Sequence, residues 1–148
     1  MADLDDDLQP EEPSTLSDDQ LIELMWMMGD RLSRGVIDEI ASRSERMLPR
    51  LAEVVHTDET WEDDLGPPGM WAVVHATFAL EATGSMDAVP PLLEAVRRAH
   101  VEGLDWITEV GGELFNRIGP GCFEQVRAVF LSDHEDPFVR WGCLTAMC

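Results

Sequence analysis

The chain has 148 residues and a net charge of −20, from 30 acidic and 10 basic residues. Proteins bind nucleic acids and anionic membranes by replacing counterions with Lys and Arg, so this charge argues against both as partners. The charge is compatible with a basic protein partner or with a bound cation, and it can also serve solubility without any partner. No uncharged apolar run approaches the roughly 20 residues that cross a bilayer. The acidic N-terminus is unlike a signal peptide, so we expect a cytoplasmic protein.

The first ordered element is predicted directly after an acidic N-terminal segment. Residues 1–15 are acidic, carry two prolines and lack apolar periodicity, which predicts a disordered tail. Residues 16–148 are expected to form a single domain. Ser17 and Gln20 form a capping box that starts a helix over residues 17–28.

Two similar segments indicate an internal repeat. MLPRLAEVV at residues 47–55 aligns with AVPPLLEAV at residues 88–96, with matching proline, glutamate and apolar positions. The equal spacing of three tryptophans also indicates a repeat, since Trp71, Trp106 and Trp141 follow one another at intervals of 35 residues. Such self-similarity is typical of helical repeat arrays. The predicted units span about residues 33–56, 70–100 and 105–132, followed by an incomplete repeat at 137–148.

The segment between the first two units, residues 56–69, is acidic and carries a proline pair. We interpret it as an inserted loop. Trp61 within it either folds back onto the array as a staple or remains exposed as an anchor for a partner. The first alternative is favoured, but Trp61 stays a candidate partner-binding residue.

The central unit contains a helix that is apolar on nearly every side, which predicts burial by neighbours on both flanks. His75 lies in this helix, and we interpret it as a hydrogen-bonded core residue. In the third unit, Gly111 and Gly112 fall inside the predicted first helix, which runs from Trp106 to Ile118. Because glycine disfavours a helix interior, we expect the pair to permit close approach of a neighbouring helix.

The last predicted helix follows Asp136 as N-cap and Pro137 at the first helical position. It presents Trp141 and Leu144 where a terminal repeat would normally be polar. We therefore expect either that further chain follows or that another chain covers this end, including self-association through this helix. Trp141 and Leu144 join Trp61 as possible partner-binding residues.

No catalytic, cofactor-binding or metal-binding motif is recognised in the sequence. The four histidines lie in different units without metal-ligand spacing. Cys122, Cys143 and Cys148 form no CxxC motif, and an odd count does not suit a disulfide framework. A cation site at residues 134–136 is a weaker alternative to an ordinary acidic turn. No catalytic residue and no cofactor is predicted.

Three segments carry a resemblance to a known family of repeats. AVVHATFALEATG at residues 72–84, VPPLLEAV at 89–96 and DPFVRWGCLTAM at 136–147 resemble the short HEAT-like repeats of phycobilisome lyases. RGVIDEIASRSERMLPRLAEVV at 34–55 is similar to a bacterial HEAT-like family of unknown function. The resemblance implies an all-α fold, a short right-handed α-solenoid of antiparallel helix pairs.

Fold resemblance specifies architecture better than activity. The leading hypothesis is a non-enzymatic protein-interaction scaffold with an unknown, possibly basic, protein partner. The alternative is a lyase or chaperone-like protein that acts on a bound chromophore or small molecule, which requires a deep apolar pocket. An alkylpurine glycosylase on HEAT-like repeats would need a basic groove, and the net charge argues against it.

Overall fold

The computed structural model describes residues 12–62 and 66–148. Within these residues all regular structure is helical and no strand occurs, which confirms the all-α prediction. The described α-helices are α1 (Asp18–Met27), α2 (Arg34–Ser42), α3 (Ser44–His56), α4 (Gly66–Gly69), α5 (Trp71–Thr83), α6 (Val89–Glu102), α7 (Asp105–Thr108), α8 (Phe123–Leu131) and α9 (Pro137–Ala146).

The N-terminal segment is described only from Glu12 onward. Residues 1–11, most of the predicted tail, lie outside the described residues. The end of that predicted tail, Pro13–Thr15, forms a single 3-10 turn that lies against α2. The Ser14 carbonyl accepts a hydrogen bond of 3.2 Å from the Arg43 guanidinium, which joins the turn to the helical body.

The predicted capping box at the start of α1 is confirmed. The Ser17 hydroxyl accepts a hydrogen bond from the Gln20 amide at 3.2 Å, and the Gln20 side chain accepts one from the Ser17 amide at 2.8 Å. These bonds satisfy two amides that the helix start would otherwise leave without a partner. The sequence therefore defines the beginning of α1 through local contacts alone.

A cluster of ion pairs fixes α1 against the next two helices. The Asp18 carboxylate lies 2.8 Å from the Arg43 guanidinium and 2.8 Å from that of Arg46. Arg43 also pairs with Glu39 one turn earlier. Hydrogen bonds from both guanidinium groups hold the pKa of Asp18 well below its usual range.

Helix α5 lies at the centre of the core, as its apolar sequence predicts. It packs against α1, α2, α3 and α6, and eight of its residues are buried. Its most interior large side chain, Leu80, has no exposed surface. Although α5 is the most apolar helix, neither it nor another helix in the described ranges is long and apolar enough to cross a membrane.

The predicted first helix of the third unit is wrong in its length. Instead of one helix over residues 106–118, the chain forms the short α7, a series of turns and a 3-10 turn at Glu113–Phe115. The interruption coincides with Gly111 and Gly112. Glycine weakens a helix because it loses more conformational freedom on folding than other residues. Leu114 and Phe115 are nevertheless buried, so this segment still contributes to the core.

The last two helices pack on each other, and α9 also contacts α6. The predicted start of α9 is confirmed, since the Asp136 carboxylate accepts a hydrogen bond of 2.8 Å from the Phe138 amide. The Arg140 guanidinium donates to the Phe130 carbonyl at 2.7 Å, which joins α9 to the end of α8. Ion pairing between Arg97 on α6 and Glu135 holds the preceding turn in place.

Candidate functional groove

A groove of about 800 Å³ lies near the C-terminal end of the described chain. It lies between α9 on one side and α7 with its following turns on the other, and the C-terminal part of α6 borders it. We call this feature the C-terminal groove. Its size falls in the range of about 300–1,000 Å³ that is typical of ligand sites.

Helix α9 supplies the aromatic side of the groove. Phe138 and Trp141 are three residues apart and therefore lie on one face of the helix, whereas the side chains of Val139 and Cys143 are buried. The side chains of Phe138 and Trp141 are 71% and 66% exposed. Large aromatic side chains that remain this exposed on a fixed helix are characteristic of interaction surfaces.

The opposite side of the groove is acidic. Asp105, Glu109 and Glu113 line it, and all three are exposed. No arginine contributes to the lining, and His100 is its one basic side chain within the described residues. The nearby arginines of α6 are engaged elsewhere, because Arg97 pairs with Glu135 and Arg98 with Glu94 and Asp58. The groove therefore combines apolar rings with exposed carboxylates.

Glycines form part of the groove lining, and they do so for two different reasons. A Cβ atom on Gly112 would clash with the Thr145 side chain and lie 3.2 Å from the Ala146 amide nitrogen, so the turn approaches α9 closely at this point. This confirms the predicted close approach for Gly112, whereas a Cβ atom on Gly111 would make only ordinary contacts, at 3.5 Å or more. By contrast, a Cβ atom on Gly142 would meet nothing within 4 Å. Gly142 thus leaves an open space beside Trp141.

His100 connects the aromatic side of the groove to α6. Its ring centroid lies 5.0 Å from that of Phe138, and its Nε2 atom lies 3.2 Å from the Asp136 carboxylate. Asp136 also caps α9, so one carboxylate orients both the helix start and the imidazole. This arrangement holds Phe138 in a defined position although most of its surface is exposed.

Of the three partner-binding residues predicted from the sequence, the groove includes one. Trp141 lines it, whereas Leu144 lies half-buried outside the lining. Trp61 is 8% exposed, and its indole nitrogen donates a hydrogen bond of 2.8 Å to the Val55 carbonyl. The structure thus places Trp61 as the staple of its loop, and the competing interpretation as an exposed anchor is wrong.

The remaining histidine and cysteine side chains have structural surroundings. His75 is buried and its Nε2 atom lies 2.6 Å from the Gly29 carbonyl, as expected for a core histidine, and burial lowers its pKa. Burial also raises the pKa of the Cys143 thiol to about 11 and raises that of Cys122. Both thiols are therefore poor nucleophiles at neutral pH.

The alternative cation site at residues 134–136 is not supported. Glu135 is paired with Arg97, and the Asp136 carboxylate is occupied by the start of α9 and by His100. Across the described ranges, no group of three or more His, Cys, Asp or Glu side chains has the arrangement of a metal site.

Sequence reasoning missed Phe138 and the three carboxylates as parts of one site. Phe138 follows the predicted N-cap and proline, a position that could have indicated an exposed ring on the first turn of α9. The carboxylates carried no specific signal among 30 acidic residues. Comparisons with models of protein families, with curated proteins and with solved structures found no match.

Proposed function

We propose that the protein is a non-enzymatic interaction module that binds a protein partner through the C-terminal groove. The observation that carries this proposal is the exposure of Phe138 and Trp141 on a helix whose opposite face is firmly packed. Tryptophan and other aromatic residues contribute a large share of the binding energy in protein interfaces. Exposing two of them side by side is unfavourable in water unless a partner covers them.

The proposal includes a HEAT-like architecture of stacked antiparallel helix pairs. In its support, α2 and α3 form one pair, α5 and α6 form the next, and α5 packs against both helices of the earlier pair. The third unit departs from this pattern because α7 is short and only α8 is a regular helix. The C-terminal groove lies at this irregular unit, where the broken helix leaves room beside α9.

A pull-down tests the proposal, with the intact protein as bait in an extract of the cells that naturally contain it. We expect at least one protein that is retained by the wild type, released by added salt and lost with the bait carrying Phe138→Ser and Trp141→Ser. A Trp106→Ser bait is the matched control, because Trp106 is 58% exposed but lies outside the groove lining. If no protein is lost selectively with the double variant, the proposal fails.

A small-molecule function, such as a lyase or chaperone-like protein acting on a bound chromophore, is the second candidate. The volume of the groove favours it, since a drug-sized ligand would fit. The carboxylates of Asp105, Glu109 and Glu113 would repel an anionic ligand, which limits this candidate to neutral or cationic compounds. Retention of a coloured small molecule during purification, lost with the Phe138 and Trp141 double variant, would favour it over a protein partner.

A further inference from the structure

The charge distribution of the C-terminal groove indicates the chemistry of its partner. Asp105, Glu109 and Glu113 have no ion-pair partner among the described residues, although arginines on α2, α3 and α6 all pair with acidic side chains. The negative charge of this side is therefore not neutralised within the described parts of the chain. A partner segment with positive charges would supply the missing counter-charge.

The aromatic side of the groove suits the same kind of side chain. An arginine or lysine cation is attracted to the face of a tryptophan or phenylalanine ring, and its aliphatic stem packs on the ring. Phe138 and Trp141 face a groove that also contains the three carboxylates. A cationic side chain in the groove can therefore approach a ring and a carboxylate together.

We propose that the C-terminal groove binds a segment of a partner protein in which arginine or lysine side chains alternate with apolar ones. The inference rests on the proposed function and specifies its partner. The cationic side chains contact Asp105, Glu109 and Glu113, and the apolar ones cover Phe138 and Trp141. A volume of about 800 Å³ accommodates several side chains, which favours a segment of polypeptide over a single small cation.

Two other occupants are disfavoured by charge. A second copy of this chain carries a net charge of −20, so its approach to an acidic groove is opposed by repulsion. Residues 1–11 contain five acidic and no basic side chains, so the N-terminal segment is repelled in the same way. The basic segment is thus the occupant that complements both sides of the groove.

The test measures binding of a short fluorescein-labelled peptide of Arg, Leu and Ala by fluorescence anisotropy at physiological ionic strength. We expect binding by the wild type and at least about tenfold weaker binding by the triple variant Asp105→Asn, Glu109→Gln and Glu113→Gln, a loss equivalent to about 1.4 kcal/mol. The control triple variant, Glu23→Gln, Glu53→Gln and Glu124→Gln, changes the net charge equally at exposed positions outside the groove lining and should bind like the wild type.

A second pair of variants tests whether the peptide binds in the C-terminal groove, without changing the charge of the protein. Gly142→Leu places a side chain into open space within the groove and should block the peptide. Gly35→Leu is the control, since Gly35 is an exposed helical glycine in α2 whose added Cβ would meet only ordinary contacts at 3.8 Å. Circular dichroism verifies that both variants fold. The peptide should bind the Gly35 variant as it binds the wild type.

Three outcomes would overturn the inference. Equal weakening by both triple variants would show diffuse attraction to an acidic protein. Unchanged binding by Gly142→Leu would place the peptide elsewhere. Displacement of the peptide by an equal concentration of arginine amide would indicate a site for a small cation. Each of these results leaves the pull-down comparison valid, so failure of the basic-segment inference is distinguishable from failure of the interaction function itself.

Discussion

Residues 18–102 and residues 103–148 use their apolar side chains differently. In the first region, α2, α3, α5 and α6 are continuous helices of 9 to 14 residues, and they bury most of their apolar side chains. The second region has helices of 4 to 10 residues. It contains every Phe and Trp side chain that is more than about a third exposed among the described residues: Trp106, Phe123, Phe138 and Trp141. Burial of apolar side chains and exposure of aromatic rings are thus divided between two parts of one chain.

The difference arises from neighbours more than from composition. Helix α5 is covered by α1, α2, α3 and α6, so even side chains on its far face are buried. Helix α9 has α6, α8 and the Glu113–Phe115 turn against it, and the face that carries Phe138 and Trp141 remains uncovered. Apolar residues in α9 therefore serve two purposes, packing on one face and presenting rings on the other.

The largest difference in the free energy of unfolding is expected between a side-chain truncation in the first region and one in the second. Leu80→Ala in α5 should lower the free energy of unfolding by about 2–5 kcal/mol, because it leaves a cavity in a fully buried site. Phe138→Ala should change it by less than about 0.5 kcal/mol, since most of the ring is already in water. Urea denaturation followed by circular dichroism measures both. Similar losses for the two variants would abolish the distinction between the regions.

A second comparison lies within the C-terminal region. Gly112→Ala should destabilise the protein by about 1–3 kcal/mol, because the added methyl group meets Thr145 and the backbone at Ala146. The variant pushes α9 away from the turn that precedes it. Denaturation gives the loss, and hydrogen exchange at the amides of α9 locates it. Wild-type exchange rates in α9 would contradict the contact that we assign to Gly112.

The pH dependence of stability tests the packing of the N-terminal region. Burial lowers the pKa of His75 below its ordinary value of 6.5, so the unfolded chain binds a proton more readily than the folded one. The contribution of His75 to the free energy of unfolding should therefore be fully present above pH 6.5. It should be lost as the pH falls below 6.5, until the pH is below the pKa of His75 in the folded chain. Thermal unfolding measured across this range gives the slope.

His75→Gln should reduce that slope, because an amide can still donate to the Gly29 carbonyl but does not titrate. His56→Gln is the control, since His56 is exposed and its replacement leaves His75 in place. An equally steep decline in the His75 variant would assign the pH dependence to other groups.

The smallest expected effect is a gain. Gly142→Ala should stabilise the protein by up to about 1 kcal/mol, because alanine favours the interior of a helix and its methyl group meets nothing within 4 Å. The opposite signs expected at Gly112 and Gly142 separate a glycine required by packing from one that merely leaves space. Thermal unfolding of the two alanine variants measures both signs. A lower stability of the Gly142→Ala variant would contradict the open space that we assign to this position.

The features predicted best from the sequence depend on contacts between residues close in the chain. The Ser17 capping box and the Asp136 cap were predicted correctly because hydroxyl and carboxylate groups reach amides two or three residues away. Burial of α5 was also predictable, since no face of this helix is polar. The all-α fold follows from such local patterns.

The break in the third unit could not be predicted in the same way. Apolar residues continue at helical spacing from Trp106 to Ile118, and one glycine pair did not distinguish a weakened helix from an interrupted one. The groove results from that break, since a continuous helix beside α9 would present different side chains to it. Its carboxylates and rings come from segments about 30 residues apart, and only the tertiary fold brings them together.

Cys148 borders the C-terminal groove and is exposed, whereas Cys122 and Cys143 are buried. A maleimide reagent should therefore attach at one position under native conditions, next to the surface that we assign to a partner. The chain contains no lysine, so amine-directed crosslinkers would not react with its side chains. A photoactivatable group coupled to Cys148 would instead capture whatever occupies the groove, and it would do so without any change to the amino-acid sequence.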